Sequence, residues 1–310
     1  MRLLFFCFIS CSVTERIVNS AKINFVILSK VCTFAIVKQK VILITGASSG
    51  IGYDAALALA AQGHKVYAAA RRVEKMEPLK SSGIVPVKMD VTDEQSMVDG
   101  VKYILDKEGR IDVLVNNAGY GFFGAVENVS MEEARRQVEV NVFGLARLSQ
   151  LVLPTMRAQR SGRIINTSSI AGRMALCFGG WYHVTKYSVE ALSDAMRMEL
   201  KPFGIDVVII EPGGIKTDWG IVAANHLRES STDSPYETVA IRWADIMQWA
   251  YESNLLSSPH VITRAILRAV NRRRPRVRYR TGRGATLMVV LHAVLPARWW
   301  DALMRWLITL

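Results

Sequence analysis

The sequence predicts an α/β fold, a single doubly wound parallel sheet with helices on both faces. Three observations predict it. From residue 41 to about 215, short apolar runs of strand length alternate with longer runs of helical period, the order that βαβ units produce. The first strand pattern passes through a glycine-rich turn directly into a helical run, the local signature of a nucleotide-binding unit. The chain of 310 residues is long enough for one large domain and shows no internal repeat or second core.

The first strand is Lys40-Val41-Ile42-Leu43-Ile44, and the turn is Thr45-Gly46-Ala47-Ser48-Ser49-Gly50-Ile51-Gly52. Gly46 permits the tight turn. Gly50 removes a side chain where a pyrophosphate must approach, and Gly52 lets the following helix pack closely on the strand. That helix runs through 55–62 and is closed by Gly63. Its N-terminus presents free amides and the positive dipole end to phosphates, so Ser48, Ser49 and Ile51 join the glycines as candidate cofactor contacts. The predicted fold is therefore Rossmann-type.

The second strand, 64–70, ends at Ala70 and is followed by Arg71 and Arg72. A site for NAD wants a carboxylate near this strand end to hold the ribose 2′-hydroxyl, whereas an arginine suits a 2′-phosphate. NADP(H) is the expected cofactor, with Arg71 the main clamp and Arg72 assisting; NAD(H) is left open. A third strand, 85–89, leads to Asp90. A fourth, 111–115, leads to Asn116-Asn117-Ala118-Gly119, and a fifth, beginning at Arg163, leads to Ser168 and Ser169. A further strand precedes Glu211-Pro212-Gly213-Gly214-Ile215-Lys216-Thr217.

Tyr182 and Lys186 lie four residues apart. On a helix they share a face, which sets the ammonium beside the phenol. A free tyrosine titrates near pH ~10. A neighbouring cation favours the phenolate and brings the group closer to acid–base work at neutral pH.

With Gly-x-x-x-Gly-x-Gly, Asn116-Asn117-Ala118-Gly119, Ser169, Tyr182 and Lys186 in this order, the chain resembles the classical short-chain dehydrogenase/reductase family, strongly from about residue 41 to 220. The resemblance implies that Ser169, rather than Ser168, is the catalytic serine. It implies that Tyr182 donates a proton to a carbonyl oxygen as hydride arrives, that Ser169 hydrogen-bonds that oxygen, and that Lys186 holds the nicotinamide ribose and tunes the tyrosine. Asn141 matches the family asparagine that anchors a proton-relaying water. Asp90, followed by Val91, matches the position that contacts adenine. Asn117, Ala118 and Gly119 would line the cofactor cleft. Pro212 and Gly213 would lie against the nicotinamide, and Ile215 and Thr217 would contact its carboxamide.

The segment 218–259 is expected to form a helical lid over the substrate, and its apolar content (Trp219, Ile221, Val222, Trp243, Ile246, Met247 and Trp249) points to an apolar pocket. Met174, Leu176, Cys177 and Phe178 extend it. The long lid and basic tail resemble the subgroup related to 17β-hydroxysteroid, retinol and acyl-dihydroxyacetone-phosphate reductases. This implies a hydrophobic carbonyl or alcohol substrate that is steroid-, retinoid- or lipid-like. The alternative of another class is an NADP(H)-binding regulator or scaffold without turnover, against which the intact Ser169, Tyr182 and Lys186 speak.

The net charge is +12, which raises nucleic acid as a partner. Its distribution argues otherwise: residues 1–40 carry +5, residues 260–310 carry +10, and the remainder carries −3. No metal set is expected. The five histidines are scattered, and no Cys-x-x-Cys or His-x-x-x-His pair exists; each histidine reads as a surface or helix residue. Three of four cysteines fall in residues 1–40, so the body offers no disulfide pair, which suits a reducing, cytoplasmic compartment.

The expected plan is an N-terminal extension at 1–38, a dehydrogenase/reductase domain at 39–284, and an amphipathic tail at 285–310. The extension opens on a short apolar stretch that reads as a membrane-associating leader, a secretory signal or a misassigned start. The last is preferred and export is disfavoured, because an NADP(H) enzyme needs the cytosolic cofactor pool. In the tail, Trp299, Leu303, Trp306 and Leu310 follow helical spacing, with Arg298 and Arg305 on another face. That pattern suits either a peripheral membrane contact or a helix packed over the enzyme. The long helices expected near 131–157 and 181–200 would serve a homo-oligomer.

Overall fold

The computed structural model describes residues 38–253 and 255–309. The extension at 1–38, up to its final residue, lies outside the described residues, as does Leu310. From Gln39 onward the chain forms one compact unit.

Seven strands make its sheet: β1 Val41–Thr45, β2 Lys65–Ala70, β3 Val85–Lys88, β4 Val113–Asn116, β5 Gly162–Thr167, β6 Ile205–Pro212 and β7 Arg278–Thr281. Their order is β3-β2-β1-β4-β5-β6-β7, and every neighbouring pair is parallel. Ten α-helices are described: α1 Gly50–Ala61, α2 Glu94–Glu108, α3 Met131–Val138, α4 Gly144–Ala158, α5 Gly180–Leu200, α6 Asp218–Ser231, α7 Glu237–Glu252, α8 His260–Asn271, α9 Ala285–Val294 and α10 Ala297–Thr309.

Alternate strand residues cover opposite faces. Ile42, Ile44, Val66, Ala68, Val115 and Ile165 form one core with α1 and α8. Leu43, Tyr67, Ala69, Leu114 and Ile164 form another with α2 and α4. Burial on both faces explains why the strands read as continuous apolar runs. The strand order reverses between β1 and β4. The turns leaving their carboxyl ends therefore diverge and open a crevice, where ligands of such sheets bind.

Several elements depart from the sequence reading. The helix expected across 131–157 is broken by a π-helical turn, Glu139–Phe143, between α3 and α4. Glu211 and Pro212 belong to β6 rather than to the turn after it. His64 is neither a surface nor a helical residue: it is buried before β2, with Nε2 3.1 Å from Asn271 Oδ1. The lid is a pair of helices, α6 and α7, meeting through the small residues Ala223, Ala224, Ala240 and Ala244, all fully buried.

The tail folds as α9 and α10. The face of α10 turned to the body holds Trp300, Met304 and Ile308, each at most 8% exposed, with Leu303 packed beside them. Trp299 is 70% exposed. The reason is local. Trp300 and Met304 pack on Met174, and Trp300 Nε1 donates to the Ala175 carbonyl at 3.3 Å.

Candidate active site

The turn after β1 brings the glycines into place. Gly46 and Gly50 take left-handed φ values of +66° and +57°, which side chains with a Cβ adopt only with strain. A Cβ on Gly46 would lie 2.8 Å from Ala118 Cα, and one on Gly52 would lie 2.4 Å from the Gly46 carbonyl oxygen. Gly52 thus works behind the wall, letting α1 rest on the turn. Ser49, the N-cap of α1, makes no side-chain capping bond, so the helix start presents its amides outward. This cradle fits a dinucleotide pyrophosphate.

The β4 turn is tied to β1. Thr45 Oγ1 accepts from the Asn117 and Ala118 amides, both at 3.0 Å, and Asn117 Nδ2 donates to the Thr45 carbonyl at 3.1 Å. Asn116 reaches across the sheet to Asn166 Oδ1 at 2.9 Å and to Ser149 Oγ at 3.1 Å. These buried amides lock the strand ends that carry the site.

Asn141 sits in the π-helical turn, a distortion often found at functional positions. It accepts from the Tyr120 amide at 3.0 Å and donates to the Tyr120 carbonyl at 2.8 Å and to Thr185 Oγ1 at 3.0 Å. Asn141 therefore clamps the β4 turn onto α5 and does not itself line the cleft.

Ser169 leaves β5 in an extended conformation, and its Oγ accepts from the Ala171 amide at 3.1 Å. Tyr182 and Lys186 lie on one face of α5, as their spacing predicts. The Lys186 ammonium stands 5.7 Å from the Tyr182 ring centroid and donates to the Thr167 carbonyl at 3.0 Å. Ser169 lies close enough to Tyr182 for its hydroxyl to favour the phenolate. One cleft thus contains all three side chains.

The electrostatics differ from the sequence expectation. Burial is the leading influence on Tyr182 and raises its pKa above the ordinary phenol value, with the Ser169 hydroxyl opposing. The phenol is thus held as a proton donor. Burial also lowers Lys186 from 10.5 to about 8, with Glu190 acting to raise it. The spacing gave the right neighbours, but not the desolvation that dominates a site closed by Phe123, Trp219 and the lid. The Tyr182 ring packs 5.1 Å from Trp219 and 5.7 Å from Phe123 by centroid.

The cleft has a volume of about 710 Å³. Ser48, Ser49, Gly50, Ile51, Arg71, Arg72, Asp90, Val91, Asn117, Ala118 and Gly119 line its dinucleotide half, and Pro212, Gly213, Ile215 and Thr217 line it beside Tyr182. The β6 turn is pinned from behind, where the Lys216 amide donates to the Ser257 carbonyl at 2.9 Å. Met174, Leu176, Trp219, Trp243 and Met247 make the other half apolar.

Among the lining residues that escaped the sequence reading are Arg136 from α3, Phe123 from the β4 turn and Tyr251 from α7. Arg136 sits in a run of charges that reads as a solvated face, and only the tertiary fold turns it toward Arg71. His183 is also more than a helix residue. It is buried, its Nδ1 is 2.9 Å from the Ala171 carbonyl, and its Nε2 accepts from the Leu176 amide at 3.0 Å, fixing the loop between Ser169 and Tyr182.

Arg278 and Arg280 of β7 form an unexpected, partly buried ion cluster around Glu190 and Glu211. Arg278 of β7 contacts Glu190 at 3.0 Å, Asp194 at 2.7 Å and Glu211 at 3.2 Å, while Arg280 holds Glu211 at 2.7 Å. Burial raises the Glu190 pKa, and the nearby Ser168 and Arg278 oppose it.

Comparison with known proteins agrees with this geometry. The short chain dehydrogenase family model matches residues 40–226. A probable short-chain type dehydrogenase/reductase, VdlC of Helicobacter pylori, is 37% identical over 85% of this chain and 96% of its own. The 3-ketodihydrosphingosine reductase of Bacteroides thetaiotaomicron is 36% identical over 79% of this chain and 88% of its own. Among solved structures, a short-chain dehydrogenase from Streptomyces avermitilis superposes with a TM-score of 0.72 at 31% identity, covering 83% of this chain and 93% of that one. With the parallel sheet, the glycine cradle and the Ser169–Tyr182–Lys186 group, these matches place the chain in the short-chain dehydrogenase/reductase family, oxidoreductases that act on CH–OH or C=O groups with NAD(P).

Proposed function

We propose that the chain is an NADP(H)-dependent reductase of hydrophobic ketones or aldehydes, steroid-, retinoid- or lipid-like, running mainly toward the alcohol. The observation that carries the reading is the position of Tyr182, a buried phenol held protonated where an arginine-edged dinucleotide cradle meets an apolar pocket. Arg71 and Arg72 follow a β2 that ends at Ala70 without a carboxylate, which supports NADP(H) over NAD(H). The apolar half formed by Met174, Leu176, Trp219, Trp243 and Met247 supports a hydrophobic carbonyl, and the name of the Bacteroides relative supports a lipid-like one.

The cofactor would be held by the Gly46–Gly52 turn on its pyrophosphate, Arg71 and Arg72 on a 2′-phosphate, and Asp90 and Val91 at the adenine. Asn117, Ala118 and Gly119 would line its path, and Pro212, Gly213, Ile215 and Thr217 would hold the nicotinamide end. When bound there it supplies the hydride. Ser169 Oγ and the Tyr182 hydroxyl converge on the substrate oxygen, and both act as donors when negative charge grows on it. Tyr182 gives up its proton. Lys186, charged below about pH 8, stabilises the phenolate left behind and steadies the nicotinamide ribose. Asn141 holds the turn against which a proton-relaying water would rest.

The same reading covers the surface. The domain is taken as 39–284 with the tail at 285–310. Leu287, Val290 and Val294 form an exposed stripe on α9, and Trp299 extends it on α10. With the basic tail, this supports peripheral membrane contact by a cytoplasmic enzyme. Among the described residues no helix is long and apolar enough to cross a membrane. Exposed Val184, Tyr187 and Met198 on α5 and Phe143 beside α4 support a homo-oligomer.

The test is the initial rate of NADPH and NADH oxidation with steroid, retinoid and long-chain aliphatic carbonyls, for wild type and Arg71→Glu. We expect NADPH to be preferred by the wild type and the preference to shift toward NADH, by tenfold or more, in the variant. A wild type that prefers NADH overturns the cofactor assignment. Failure of every carbonyl in the panel overturns the substrate class.

A further inference from the structure

Trp243, Met247 and Tyr251 are spaced i, i+4 and i+8 along α7, so they form one face of the helix, and all three line the cleft. Met247 is apolar wall, Trp243 adds an indole N–H with no partner among the described residues, and Tyr251 carries a hydroxyl. Its ring is held in one place. Gly220 of α6 lies flat against it, and a Cβ there would come within 1.9 Å of Tyr251 Cζ, so no larger residue fits at that position. The Tyr251 hydroxyl has no hydrogen-bond partner among the described residues. It stands close enough to Tyr182 for the two phenols to influence one another. Burial pushes Tyr251 up to about 12, so it remains a donor across the physiological range. The clamped phenol lines the cleft, so a bound molecule that displaces solvent from it loses affinity unless it offers an acceptor in return.

We infer that Tyr251 forms a second polar subsite, which receives an oxygen acceptor of the substrate set back from the reacting carbonyl. This rests on the reading of the apolar half of the cleft as the carbonyl pocket, and it narrows the substrate class. The preferred substrates are hydrophobic ketones bearing a second hydrogen-bond acceptor near the ketone, rather than plain aliphatic ketones. Tyr182 and Ser169 take the reacting oxygen; Tyr251 takes the other and sets the orientation of the chain.

The experiment compares a long-chain β-keto ester with the plain ketone of equal chain length. Wild type and Tyr251→Phe are used, the variant keeping the ring that Gly220 accommodates. Turnover is followed as NADPH oxidation. Binding to the NADP⁺-loaded protein is followed in parallel by quenching of tryptophan fluorescence, since Trp219 and Trp243 line the same cleft. The wild type should favour the keto ester by about tenfold in affinity and in kcat/KM, the scale of one hydrogen bond that releases a buried donor. Tyr251→Phe should bring the two ligands within about twofold of each other, with the loss falling mainly on the keto ester. Equal preference in the wild type, or an equal loss for both ligands in the variant, overturns the subsite. Selective binding that depends on Tyr251 but comes without turnover supports the subsite and rejects the reductase reading instead.

Discussion

Replacing Lys186 with methionine should stabilise the folded protein at neutral pH while abolishing its activity. Lys186 is 7% exposed, and burial draws its pKa from 10.5 down to about 8. At pH 7 the folded state must carry the charged form, at a penalty of about 3 kcal/mol. Methionine fills nearly the same volume without the charge. It forfeits the bond to the Thr167 carbonyl, a loss of about 1 kcal/mol. The balance is a gain of about 2 kcal/mol, or roughly 5 °C in melting temperature for a domain of this size. The gain depends on pH. Between about pH 8 and 10.5 the unfolded chain keeps the Lys186 proton that the folded chain has lost, so wild-type stability rises with pH across this window. The advantage of Lys186→Met should therefore shrink above about pH 8 and be gone by about pH 10. Thermal melts of both proteins from about pH 7 to 10 read this directly. A variant that melts at or below the wild type at pH 7, or a difference that stays constant with pH, would refute the reasoning.

Three further outcomes are expected. Gly52→Ala drives a Cβ to 2.4 Å from the Gly46 carbonyl oxygen and 2.6 Å from Asn117 Nδ2, so NADPH affinity measured by fluorescence should fall by about 30-fold or more; unchanged affinity counts against the cradle. Arg278→Met leaves Glu190 short of its cation and Glu211 with Arg280 alone, so urea unfolding should show a loss of about 3 kcal/mol, and a loss under about 1 kcal/mol would mean the cluster is not strongly coupled. Trp300→Ala removes the larger of the two α10 side chains packed on Met174 and leaves Met304; it should destabilise by about 3 kcal/mol and raise KM for the carbonyl while leaving NADPH affinity within about twofold of wild type, whereas a matching loss of cofactor affinity would show that the tail acts on the whole site.

What could be read from the sequence was local. The glycine turn, the Asn117–Gly119 turn and the Tyr182–Lys186 spacing each belong to a short stretch with its own steric demands, and the structure brings them into one cleft. The π-helical turn at Asn141 could not be seen, since its cause is tertiary: the side chain is drawn to the Tyr120 backbone and to Thr185. Nor could the protonation balance of Tyr182 and Lys186, because desolvation depends on Phe123, Trp219 and the lid closing over them. Tyr251, Arg136 and the Arg278 cluster share this property. Each looks like an ordinary polar residue of a helix or edge strand until the fold buries it or turns it inward. In the tail, period alone gave a helix but could not say which side packs, because α10 offers tryptophans on two sides and the contacts with Met174 and Ala175 decide between them.

The most direct test of the central claim is Tyr182→Phe, assayed for carbonyl reduction by NADPH and for NADPH binding on the same preparation. The account predicts turnover reduced by at least about a thousandfold, with NADPH affinity within about threefold of wild type, since the phenol and not the ring supplies the proton. Full activity in the variant would contradict the assignment of Tyr182 as the proton donor. A wild type that binds NADPH yet reduces no carbonyl would favour a cofactor-binding regulator built on the same fold.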